Sequence, residues 1–208
     1  MKKFASLVVA SAAFAAFAVG SAKATPILFD FSLGNNPSFH GGSLVGVPSI
    51  TFNVGGLSVM ASAQVGNVTA NKPVTSRPTN SGGLGVISGP GDSPIVDGVN
   101  PKDLLNLVFS EKVKIFKAVF TEIETGDDFG FYIDDAFNGK LNIPALTKFY
   151  AFAMQEGTKF GFGSFDGNDD FKLKSISVSP VPLPPALLLF ASGLFGIGLL
   201  GRRRNKAI

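Results

Sequence analysis

"KVKIFKAVFTEI", residues 112–123, decides how this chain is read. Lys112 and Lys114 project to one side while Val113 and Ile115 project to the other, the two-residue period of a half-buried β-strand. The parity slips at Phe116-Lys117, which predicts a bulge or a local twist. The surrounding chain has the same texture. "ILFDFSL" (27–33) sets Ile27, Phe29, Phe31 and Leu33 on one face, with Leu28 breaking the polar side. "SITFNVGGLSVMASAQV" (49–65) places Gly55-Gly56 between two strand-like runs, a hairpin signal. "LLNLVFS", "FGFYI", "TKFYAFAM", "KFGFGSF" and "FKLKSISVS" follow, separated by Gly, Pro, Asn and Asp. About nine or ten short strands and no long soluble helix predict an all-β ectodomain over residues 25–178, a β-sandwich of jelly-roll type.

Two stretches interrupt the strand pattern. Residues 34–48, which include the single histidine, His40, read as a glycine-rich surface loop. Residues 66–103 carry five prolines and read as a long connection, of the kind that is usually functional or unstructured.

The ends have a different grammar. Lys2 and Lys3 precede the apolar run "FASLVVASAAFAAFAVG", and Ala22-Lys23-Ala24 supplies the small residues of a cleavage site. Residues 1–24 therefore read as a secretory signal peptide cut after Ala24. At the other end, Leu183 to Leu200 contains no charge, and Arg202, Arg203, Arg204 and Lys206 follow at once. That run would form about 27 Å of helix, close to the bilayer's apolar thickness of about 30 Å. The expectation is a transmembrane helix over 183–201 with its basic tail, 202–206, on the cytoplasmic side. "SPVP" (179–182) reads as a short stalk between domain and membrane.

The tail "VPLPPALLLFASGLFGIGLLGRRR" resembles the PEP-CTERM sorting domain of exported proteins of Gram-negative bacteria, in a variant with Val181, Pro182, Leu183 and Pro184 as its short motif. The resemblance covers residues 181–206. It implies recognition by an exosortase-like membrane protease or transpeptidase, processing near that motif, and an association with exopolysaccharide and biofilm matrix. The segment from Gly83 to Asp134 is also similar to a recurring ectodomain pattern of such proteins, which agrees with the sandwich and implies no activity.

Composition changes meaning once the ends are set apart. Of 18 cations, seven lie in the end segments, leaving 11 against all 15 acids and a net charge of −4 on residues 25–181. A nucleic-acid partner, which would need a basic surface, loses its support. Cysteine is absent, so thiol nucleophiles and cysteine-ligated metals are excluded, and an exported domain must rely on packing or bound ions.

The most suggestive polar cluster is Asp166-Gly167-Asn168-Asp169-Asp170. Asp166, Asn168, Asp169 and Asp170 could supply oxygens to a structural calcium ion, which takes six to eight of them. Phe171 and Ser177 stand where an EF-hand needs Gly and Glu, and a polar hairpin turn is the alternative. Asp127-Asp128 and Asp134-Asp135 bracket "FGFYI" in the same manner. His40 belongs to no recognisable nucleophile motif, and no phosphate-binding loop occurs. The many phenylalanines at strand spacing read as core; with no Trp and two Tyr, the chain lacks the usual rings of a carbohydrate platform. The expectation is a non-catalytic surface or matrix protein, with a calcium-stabilised carbohydrate-binding module as the alternative and an extracellular hydrolase behind both.

Overall fold

The longest strand of the molecule contains the diagnostic stretch. In the computed structural model, which describes residues 25–32, 49–65, 68–72, 74–76, 82–87, 92–98 and 102–182, β8 runs unbroken from Asp103 to Thr121. The other strands are β1 (Ile27–Asp30), β2 (Ser49–Val54), β3 (Leu57–Val65), β4 (Val68–Lys72), β5 (Val74–Ser76), β6 (Leu84–Val86) and β7 (Val96–Asp97) before it. After it come β9 (Asp128–Ile133), β10 (Ala136–Asn142), β11 (Phe149–Gly163) and β12 (Asp170–Pro180). The fold is all-β among the described residues.

Why two strands expected from sequence, "LLNLVFS" and "VKIFKAVFTEI", are one follows from pairing. β11 accompanies β8 from Leu104 to Val119, so the backbone stays satisfied through the change of direction. Val108 faces Lys159 and Val113 faces Gly157, so Phe109 to Lys112 form an oversized bulge against a near-continuous partner. Such bulges turn strands from one layer into the next. The edge that β11 leaves open is taken by β3 along Asp103–Phe109 and by β12 along Val113–Thr121. A second irregularity falls where the parity slips: Ile115 pairs with Val178 and Lys117 with Ser177, leaving Phe116 as the extra residue. "TKFYAFAM" and "KFGFGSF" likewise merge into β11, bulged between Ala151 and Gln155.

The result is sandwich-like. One layer runs β10-β9-β11-β8-β3-β2, and the other β11-β8-β12, with β1, β6 and β7 along the far edge of β12. Phenylalanines fill the space between. Phe129 of β9 lies 5.1 Å from Phe120 of β8 and 6.4 Å from Phe171 of β12, ring centre to ring centre, and Phe31 lies 4.9 Å from Phe52. All of these except Phe52 are 0–1% exposed, so the aromatic content is largely core, as the strand spacing predicts.

The β2–β3 and β9–β10 hairpins use left-handed turn residues. Gly55 and Gly56 have φ of 59° and 84° between β2 and β3. Asp134 and Asp135 have φ of 47° and 70° between β9 and β10, a conformation that Asp tolerates better than most residues. β10 itself is absent from the sequence expectation because it is an edge strand exposed at most of its positions, with Leu141 alone packing on the core. The segment expected as one long connection, 66–103, contains β4 to β7.

Both ends of β8 come to one end of the molecule. Asp97 pairs with Asp170, its N–H points to the Asp103 carboxylate at 3.5 Å, and Lys172 pairs with Thr121. The corner of β8 is at the opposite end, where Val181 N–H donates to Lys112 C=O at 2.9 Å. Ser179 and Pro180 pair with Lys114 and Val113, so the folded domain extends into the residues expected as a stalk. Among the described residues no helix is long and apolar enough to cross a membrane; the expected signal peptide and transmembrane helix lie outside them.

Candidate functional site

The acidic end is assembled from three elements. Asp127 and Asp128 enter β9, Asp166 and Asp169 flank the turn between β11 and β12, and Lys140 reaches over from β10. Gly98 closes the structure from behind: a Cβ there would lie 1.6 Å from the Asp166 carbonyl oxygen, so only glycine fits this approach.

Asp169 organises the turn. Its carboxylate is buried and accepts N–H donors from Asp128 and Phe165, each at 3.0 Å, and from Asp166. Negative charge buried in this way is tolerated because backbone donors surround it. In front of it Lys140 Nζ stands 2.8 Å from Asp128 Oδ2 and 2.5 Å from Asp166 Oδ2. The hydrogen bonds to these two carboxylates hold the Lys140 ammonium well above its ordinary pKa, and Lys140 in turn holds Asp166 below the usual carboxylate range.

Asp128, Asp166 and Asp169 each offer a carboxylate oxygen within 4.8 Å of the other two, a set that could hold a metal ion. It shares Asp166 and Asp169 with the cluster expected from sequence. Asn168 is exposed on the turn, and Asp170 is not among the three. Asp170 belongs with Asp127 instead. Burial, then the charges of Asp127, Glu124, Asp97 and Glu122, push its carboxyl upward. Asp127 is also raised, chiefly by burial, although its Oδ2 accepts the Glu124 N–H at 2.5 Å. Asp128 enters the triad only because β9 is brought beside the β11–β12 turn, a long-range event that spacing could not reveal.

Asp134 and Asp135 hold structure. The Asp134 carboxylate accepts N–H groups of Thr158 and Lys159 at 2.9 Å each, and Asp135 pairs with Lys159. Sequence reasoning also missed a surface aromatic group above the triad: Phe137, 53% exposed, lies between Tyr132 and Phe165. Of the residues expected to direct processing, Val181 and Pro182 follow β12, while Ala24, Leu183, Pro184 and Arg202 to Arg204 lie outside the described residues, as does His40. No protein-family model matches the chain, and no curated protein or solved structure does either.

Proposed function

We propose that this chain is an exported, non-catalytic surface or matrix protein, held at the membrane by its C-terminal segment until an exosortase-like enzyme processes it. The observation that carries the reading is the tail: Val181-Pro182-Leu183-Pro184, a charge-free run to Leu200, then Arg202, Arg203 and Arg204. An N-terminal export signal ending at Ala24, a cysteine-free domain and acids confined to residues 25–181 support it. So does the end of β12 at Pro180, with Val181 tied to Lys112, because the motif then begins where the sheet stops. The sandwich, taken as jelly-roll in winding, is the part delivered to the extracellular polysaccharide or protein matrix. Replacing Arg202, Arg203 and Arg204 together by neutral residues should block retention and processing in the native host. An unchanged processed band on a gel would contradict the role given to them.

A second reading is a carbohydrate-binding module with a structural calcium ion on Asp128, Asp166 and Asp169, favoured by the convergence of their oxygens. Calcium would have to displace the Lys140 ammonium from Asp128 and Asp166. A chelator that lowers the melting temperature would support it, and an unchanged melting temperature would remove it.

A further inference from the structure

An exposed aromatic ring packed between two half-buried ones is uncommon in a domain that buries most of its phenylalanines. Phe137 is 53% exposed and stacks on Phe165, ring centres 6.0 Å apart and planes 23° apart; Tyr132 packs on its other side at 5.3 Å. Two of the rings approach positions occupied by glycine. A Cβ on Gly130 would come within 3.3 Å of Tyr132 Cε2 and 3.6 Å of Phe137 Cε2, and one on Gly163 within 3.6 Å of Tyr132 Cε2. The closest of these approaches is tighter than ordinary contact, so a side chain at Gly130 would make the Tyr132 ring give way slightly. The rim is polar and fixed: Lys140 bridges Asp128 and Asp166 and stands 5.1 Å from the centre of Phe165, and Lys102 donates to the Phe165 carbonyl.

We propose that Tyr132, Phe137 and Phe165 form a platform for a neutral polysaccharide, whose apolar pyranose faces cover the rings while its hydroxyls meet Lys140, Asp128 and Asp166. The chemistry of the patch selects this occupant. An apolar strip bordered by both donors and acceptors matches a sugar, which presents C–H faces and hydroxyl edges together. Lysines and aspartates alternate at the rim and offset each other's charge, so nothing there attracts a polyanion or a nucleic acid. The rim residues Asp128 and Asp166 lie at the end of the molecule away from Val181, where β12 ends. This inference rests on the reading of the chain as a matrix protein, and its test does not depend on processing.

The full-length chain, purified in detergent, would be run in native gels containing laminarin, galactomannan or hydroxyethyl cellulose, with alginate as the anionic comparison. At least one neutral polysaccharide should retard it, with apparent affinity roughly tenfold weaker in Phe137→Ala and kept in Phe137→Trp. Leu146→Ala, at a fully exposed site elsewhere, should bind as the parent does. Because Phe137 is half in solvent, the Phe137→Ala melting temperature should stay close to the parent's. Retardation by none of the neutral polymers, by alginate alone, or equally in Phe137→Ala would overturn the proposal. So would a dimer in the parent chain that Phe137→Ala dissolves, which would assign the patch to a second copy.

Discussion

Lys172 Nζ stands 2.5 Å from Glu122 Oε2, and the lysine is completely buried while the glutamate side chain is 30% exposed. The pair joins the start of β12 to the end of β8. Its two members are unequal, because a hydrated carboxylate can lose its partner more cheaply than a buried ammonium can. Glu122→Gln should therefore destabilise the fold by about 3–5 kcal/mol, as the breaking of a buried pair does. Lys172→Met, which removes the buried charge itself, should cost less. Urea unfolding of both variants checks the order, and equal losses would contradict it.

Phe129 is one of the rings through which the two layers touch, packing on Phe162 within its own layer and on Phe120 and Phe171 in the other. Phe129→Ala should cost about 3–5 kcal/mol, the transfer free energy of the ring plus the cavity left behind. A loss near that of a surface substitution would mean that the layers do not meet there.

Asp170 and Glu156 should respond to pH in opposite senses. Burial and neighbouring carboxylates raise Asp170 above its ordinary 3.8, so the folded state prefers it protonated. Its ionisation thus subtracts stability at neutral pH, and the subtraction fades as pH falls through the raised value. Asp170→Asn should melt higher than the parent at pH 7 and converge with it in acid. Glu156 is lowered by hydrogen bonds from Lys114 and then Lys112, so its contribution is present above its unfolded pKa and is lost as pH falls through the folded one. Glu156→Gln should melt slightly lower than the parent at pH 7 and converge with it in acid. Melting curves from pH 3 to 8 separate the two signs.

Lys140 acts as the resident cation of the acidic end, bridging Asp128 and Asp166 in front of the buried Asp169. Lys140→Met should lower the melting temperature, and millimolar calcium should restore part of the loss while leaving the parent unchanged. A parent that gains as much from calcium as the variant would favour the ion over the lysine.

What the sequence made legible was whatever depends on neighbours along the chain. The slip at Phe116-Lys117 became the bulge of β8 against β12, Gly55-Gly56 became a left-handed hairpin turn, and Phe29 and Phe31 were buried together. The unbroken course of β8 was hidden, because its corner at Ser110, Glu111 and Lys112 is polar and looks like a turn; only the presence of β11 alongside makes it a strand. The acidic cluster was legible in part. Asp166 and Asp169 sit on one turn, but Asp128 and Lys140 arrive through β9 and β10, and an edge strand exposed at most of its positions leaves little periodic signal. Phe137 was missed for the same reason.

The measurement that bears most directly on the account is the intact mass of the mature protein from its native host, in strains with and without the exosortase-like enzyme. The account predicts loss of residues 1–24 in both strains, and loss of the tail beyond Val181 to Pro184 only where the enzyme is present. A tail still attached in both strains would contradict it.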